Sequence, residues 1–104
     1  MNADTVFNNV LEKLKSYALQ MKCAYEDDSK EADGMVEYYE TKLDTLREIA
    51  KDLEIGDFYY DAFRKKGDVG FVIQIYYKPV NVDEEYVLLF ETSNKPFWEE
   101  GGII

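Results

Sequence analysis

"DFYYDAFRKKG", running from Asp57 to Gly67, is the stretch on which the fold turns. Read as a helix, Asp57 caps it, and Phe58/Ala62 and Tyr59/Phe63 pair at four-residue spacing. Arg64, Lys65 and Lys66 then sit at the negative helix end, and Gly67 stops it. Read as a strand, the same residues alternate poorly. The spacing favours a short helix over about 57–66, with a strand as the alternative. The downstream segments make the choice matter. "DVGFVIQIYYKP" is β-branched and aromatic and ends at Pro79, a strand over 69–78 with Phe71, Ile73, Ile75 and Tyr77 on one face. Its antiparallel partner is a strand over about 85–92 within "EEYVLLFET" (84–92), reached through "KPVNVDE". A lone hairpin is marginal in water, so helices must cover one face or a third strand must join.

Upstream, Val6, Phe7, Val10, Leu11, Leu14, Tyr17, Ala18, Met21, Ala24 and Tyr25 recur every three or four residues, which predicts an amphipathic helix over 4–25 capped by Asp4 or Thr5. "EDDS" interrupts it. Ala32, Met35, Val36, Tyr39, Leu43, Leu46, Ala50 and Leu53 form the stripe of a second helix over 30–54. Asp28 with Glu31 fits a capping box at its start, and Gly56 a left-handed stop at its end. So short a connection makes the two helices antiparallel neighbours. The tail, 93–104, carries Phe97 and Trp98, which are expected to fold back on the core. The expectation is one α+β domain over 1–104: a helical hairpin, a short helix or strand, and a small antiparallel sheet.

The chain carries 22 acidic and 12 basic residues, a net charge of −10. That field repels phosphate backbones and anionic membrane surfaces, and it favours a basic protein partner. The charge is concentrated. Residues 26–57 hold twelve acidic and four basic groups, net −8, whereas residues 1–25 are net +1. On the second helix Asp33, Glu37, Glu40, Asp44 and Glu48 fall within a strip roughly 80° wide and about 22 Å long, beside the apolar stripe. Like charges so spaced destabilise a helix by a few tenths of a kcal/mol per pair. Arg47 and Lys51 temper the Asp44 and Glu48 end. A second acidic group comprises Asp83, Glu84 and Glu85, with Glu99 and Glu100.

Enzyme chemistry has little to work with. The chain has no histidine, so the commonest general base and metal ligand is missing, and Cys23 has no partner for a histidine-activated nucleophile or an intrachain disulfide. "SKEADGMVEYYE" places Asp33, Gly34 and Glu40 at the fifth, sixth and twelfth positions of a calcium loop, but Ser29 and Glu31 stand where the first and third ligands belong. The glycines at 67, 70, 101 and 102 make no phosphate loop, because the lysine-bearing motif is absent. No metal or cofactor is expected. The start lacks a signal-peptide pattern and no apolar run spans a membrane, so the expected compartment is the cytoplasm.

The reading that accounts for the charge is a non-enzymatic binding module. Carboxylates on the second helix, with Glu84 and Glu85, stand in for nucleic-acid phosphates in the basic groove of a nucleic-acid-handling protein such as a nuclease. Small acidic anti-restriction and anti-CRISPR inhibitors of phages and mobile elements use this strategy. In the alternative, the helical hairpin builds a homo-oligomer with Leu19 and Cys23 at its interface, and the acidity only solubilises.

Overall fold

The computed structural model describes residues 3–27, 31–64, 67 and 70–96. Two helices, α1 (Ala3–Glu26) and α2 (Glu31–Asp52), precede three strands, β1 (Asp57–Arg64), β2 (Phe71–Lys78) and β3 (Val87–Glu91). The strands form one antiparallel sheet in the order β1-β2-β3. The helices pack on each other and on one face of the sheet, α1 over β2 and α2 over β1. The fold is α+β, and the helical hairpin expected from the apolar periodicity is present. No helix among the described residues is long and apolar enough to cross a membrane.

The preferred helix at 57–66 is corrected to a strand. β1 pairs with β2 along its whole length, from Asp57 opposite Lys78 to Arg64 opposite Phe71. Phe58, Tyr60 and Ala62 turn to the helices, and Phe58 is wholly buried beneath Phe7 and Tyr77. Tyr59 lies across from Tyr76 on the far face, with ring centroids 5.6 Å apart. Both faces of β1 therefore carry aromatics, which is why the alternation reads so poorly. The pairing of eight residues outweighs a local preference worth a few tenths of a kcal/mol. Lys65 and Lys66, assigned to the end of the expected helix, lie outside the described residues. So do Asp28 of the expected capping box, the start of the second strand at 69, and Phe97, Trp98, Glu99 and Glu100 of the tail.

The core lies between the layers. Val10, Leu14, Ala18 and Met21 of α1 meet Leu43 and Ala50 of α2 above Phe58, Ile73 and Ile75. Helix α1 begins at Ala3, so Asp4 and Thr5 belong to its first turn, where Asp4 favours the positive helix end. The close of α2 differs from expectation. The left-handed residue is Glu54 (φ 57°), not Gly56. Ile55 N–H donates to Ala50 O at 2.8 Å and Glu54 N–H to Lys51 O at 3.1 Å, the paired bonds of a Schellman stop. Gly56 serves another purpose, because a Cβ there would meet the Phe58 ring at 3.0 Å.

A buried ion pair fastens the end of α1 to the sheet. Lys22 Nζ donates to Glu26 Oε2 at 2.6 Å, to Phe71 O at 2.8 Å and to Lys95 O at 2.7 Å. Phe71 N–H donates to the same Glu26 oxygen at 2.7 Å. Beyond β3 the chain stays against β2: Thr92 N–H donates to Ile73 O, and Ile73 N–H to Thr92 Oγ1. Gly70 lies so close to this segment that a Cβ would sit 2.5 Å from Asn94 O. Val72, which alternation with Ile73 places on the face away from the helices, is only 1% exposed and lies opposite Phe63 in register. Gln74 and Tyr76 on that face are half-buried and joined, the Tyr76 hydroxyl donating to Gln74 Oε1 at 2.6 Å.

Candidate functional site

The carboxylates of α2 follow from where its apolar stripe is spent. Ala32, Leu43 and Ala50 are buried and Val36, Tyr39 and Leu46 half-buried, which fixes the rotation of the helix. Asp33, Glu37, Glu40, Asp44 and Glu48 are then all exposed along one flank. Because Asp33 to Glu40 are already helical, they do not form the loop that a calcium site of the helix–loop–helix type requires.

The row is uneven. Arg47 donates through Nε to Phe58 O at 2.8 Å and through its terminal nitrogen to Asp44 Oδ1 at 3.1 Å. It also lies 5.5 Å from the centre of the Tyr60 ring. One side chain therefore staples α2 to β1 and tempers Asp44. Among the described residues, Asp33, Glu37, Glu40 and Glu48 have no basic group within ion-pair distance. Lys51 does not pair with Glu48 as expected. The two line a recess of about 300 Å³ with Asp44, Arg47, Asp57 and Phe58. Lys42 lies over the Tyr38 ring instead, at 5.3 Å.

The field of the row registers on neighbouring tyrosines. Burial, then Asp44 and Glu40, push the Tyr60 hydroxyl up to about 12. Burial and Glu40 also raise Tyr25. The middle of the row thus runs beside the seam between α2 and β1, where Tyr60 is half-buried under Arg47. Reading 57–66 as a helix hides that relation, because only β1 brings Tyr60 and Asp57 to α2.

Glu84 and Glu85 are exposed in the segment between β2 and β3, off the line of α2. The link between the two places runs through Tyr86 and Asp57. Burial, followed by hydrogen bonding to Asp57 and that residue's charge, raises the Tyr86 hydroxyl. The structure therefore aligns five of the seven residues expected at the site and sets two apart. Chemically the α2 flank offers exposed acceptors at helical spacing, suited to several Lys or Arg side chains at once. No family model, no curated protein and no solved structure matches this chain.

Proposed function

We propose that the chain is a non-enzymatic, cytoplasmic protein-binding module that presents the α2 flank to a basic groove on a nucleic-acid-handling protein, in the manner of small anti-restriction or anti-CRISPR inhibitors. The observation that carries this reading is the row of five exposed carboxylates over about 22 Å of helix, four of them without a basic partner among the described residues. Adjacent members lie about 6 Å apart, close to the spacing of phosphates along one nucleic-acid strand. A groove that holds Lys and Arg against phosphates would hold them against this row. Glu84 and Glu85 would form a secondary contact around Tyr86 and Asp57. Direct nucleic-acid or membrane binding is not part of the proposal, given the net charge of −10.

The test is capture from cell lysate by the immobilised chain and by the Asp33→Lys/Glu37→Lys/Glu40→Lys variant. The wild type should retain a nucleic-acid-binding protein that added duplex DNA releases, and the variant should not. Equal retention by both would reject the acidic flank as the binding surface. A second reading, homo-oligomerisation through the helices, has its own support: Leu19 on α1 and Ile49 on α2 are 44% and 47% exposed. It requires a solution mass above the monomer that falls on changing Leu19→Lys.

A further inference from the structure

The two edges of the sheet are built differently. β1 is guarded: Asp57, Asp61 and Arg64 interrupt its apolar residues, and α2 lies along it. β3 is not. No proline or lysine occurs between Tyr86 and Glu91, and Val87, Leu88 and Leu89 are 55%, 48% and 37% exposed. Only Phe90 packs against the core. Between its charged ends the ladder is interrupted by a register shift that leaves Leu89 unpaired between Leu88, opposite Tyr76, and Phe90, opposite Ile75. A bare apolar edge with free N–H and C=O groups is a template for another strand.

Charge decides what kind of strand. Asp83, Glu84 and Glu85 precede the edge and Glu91 closes it, all exposed. The lysines nearby are turned onto aromatic rings, Lys78 over Tyr86 at 5.4 Å and Lys15 over Phe90 at 5.5 Å. A second copy pairing antiparallel about Leu88 would set Glu85 of each chain opposite Glu91 of the other, and directly opposed like charges destabilise a ladder. We propose that the β3 edge binds, as a fourth strand, an extended segment of a partner protein that is apolar at its centre and carries Lys or Arg at both ends. Main-chain bonds to the outward groups of β3 would supply affinity, Leu88 and Tyr86 would contact the incoming side chains, and the flanking carboxylates would set selectivity. This surface does not include the α2 flank; it shares Glu84, Glu85 and Tyr86 with the secondary contact proposed above, and variants of Asp33, Glu37 and Glu40 separate the two.

The probe is the synthetic peptide KKTVTVTVKK titrated into the isotope-labelled full chain. Saturation should slow amide exchange over Val87–Glu91 at least tenfold. The same peptide with alternate amides N-methylated should bind at least tenfold more weakly, because it loses ladder bonds. The acid-ended EETVTVTVEE should be weakened to a similar degree, as should the parent peptide against Leu88→Lys or Glu84→Lys/Glu85→Lys. Asp33→Lys/Glu37→Lys/Glu40→Lys should bind the peptide within about threefold of wild type, since exposed charges beyond about 10 Å are screened. Undiminished binding of the N-methylated peptide, or no protection of β3, would overturn the proposal. A peptide-free dimer dissociated by Leu88→Lys would also overturn it, by giving the edge to a second copy.

Discussion

Replacing Lys22 with Met isolates the buried ion pair, because the two side chains are nearly isosteric and only the ammonium is lost. The Lys22 and Glu26 side chains are 1% and 0% exposed. Their Nζ and Oε2 atoms, 2.6 Å apart, are joined by the carbonyls of Phe71 and Lys95 and the N–H of Phe71. Removing the ammonium leaves the Glu26 carboxylate in a dry site and deprives two carbonyls of their charged donor. Breaking a buried pair on one side costs about 3–5 kcal/mol. That range already includes the polar groups left short of a partner, here the carbonyls of Phe71 and Lys95. A net loss of about 4 kcal/mol is expected, a large share of the roughly 5–15 kcal/mol that holds a domain of this size. At about 5 °C per kcal/mol, the melting temperature should fall by about 20 °C. Urea unfolding followed by circular dichroism measures the loss, and an unchanged denaturant slope shows that the unfolded state is comparable. The Lys22→Met/Glu26→Leu double variant carries no buried charge, so it should be no less stable than Lys22→Met alone. A Lys22→Met loss under about 1 kcal/mol, or a double variant that loses the sum of both single losses, would refute a coupled buried pair.

Other consequences are smaller in scope. The Tyr60 hydroxyl, raised to about 12 by burial and by Asp44 and Glu40, loses its proton less readily in the folded chain than at the ordinary value of 10. Its contribution to stability is complete below pH 10 and is lost as pH rises from there through about 12; Tyr60→Phe should flatten that alkaline loss in pH-dependent melts. Glu54→Gly should stabilise by about 1 kcal/mol in chemical denaturation, because glycine takes the left-handed stop of α2 without steric penalty. Gly70→Ala should destabilise by about 1–3 kcal/mol, since the added methyl would collide with the backbone of Asn94 and Lys95 rather than a movable side chain. Reversing Asp33, Glu37 and Glu40 to Lys should leave the melting temperature unchanged or slightly raised, since each relieved like-charge pair returns a few tenths of a kcal/mol.

Both helices are legible in the sequence because burial of one face imposes a spacing of three and four on the apolar residues, and no later contact overrides it. β1 is not, because an eight-residue segment with aromatics on both faces leaves no clean period. Its state is set by Ile73, Ile75 and Tyr77 across the ladder, which no local window contains. The stop of α2 is misplaced by the sequence for a related reason. Gly56 signals a backbone need, but the need is room for the Phe58 ring rather than a left-handed turn. Lys22 is readable in principle: it follows Ala18 by four positions within the apolar stripe and precedes Glu26 by four. Its partners at Phe71 and Lys95 are not, being 49 and 73 residues away. The acidic row itself follows from helical geometry alone. Its contact with the β1 seam through Arg47, Asp57 and Tyr60 depends on the sheet, and so escapes the sequence.

If the α2 flank takes a site that otherwise holds nucleic acid, the two compete, and competition is measured directly. The protein captured from lysate is purified, bound to labelled duplex DNA, and titrated with the chain at low ionic strength. The chain should displace the DNA fully, displacement should weaken as salt screens the row, and Asp33→Lys/Glu37→Lys/Glu40→Lys should not displace it at the same concentrations. Simultaneous binding of chain and DNA to one partner molecule would contradict it.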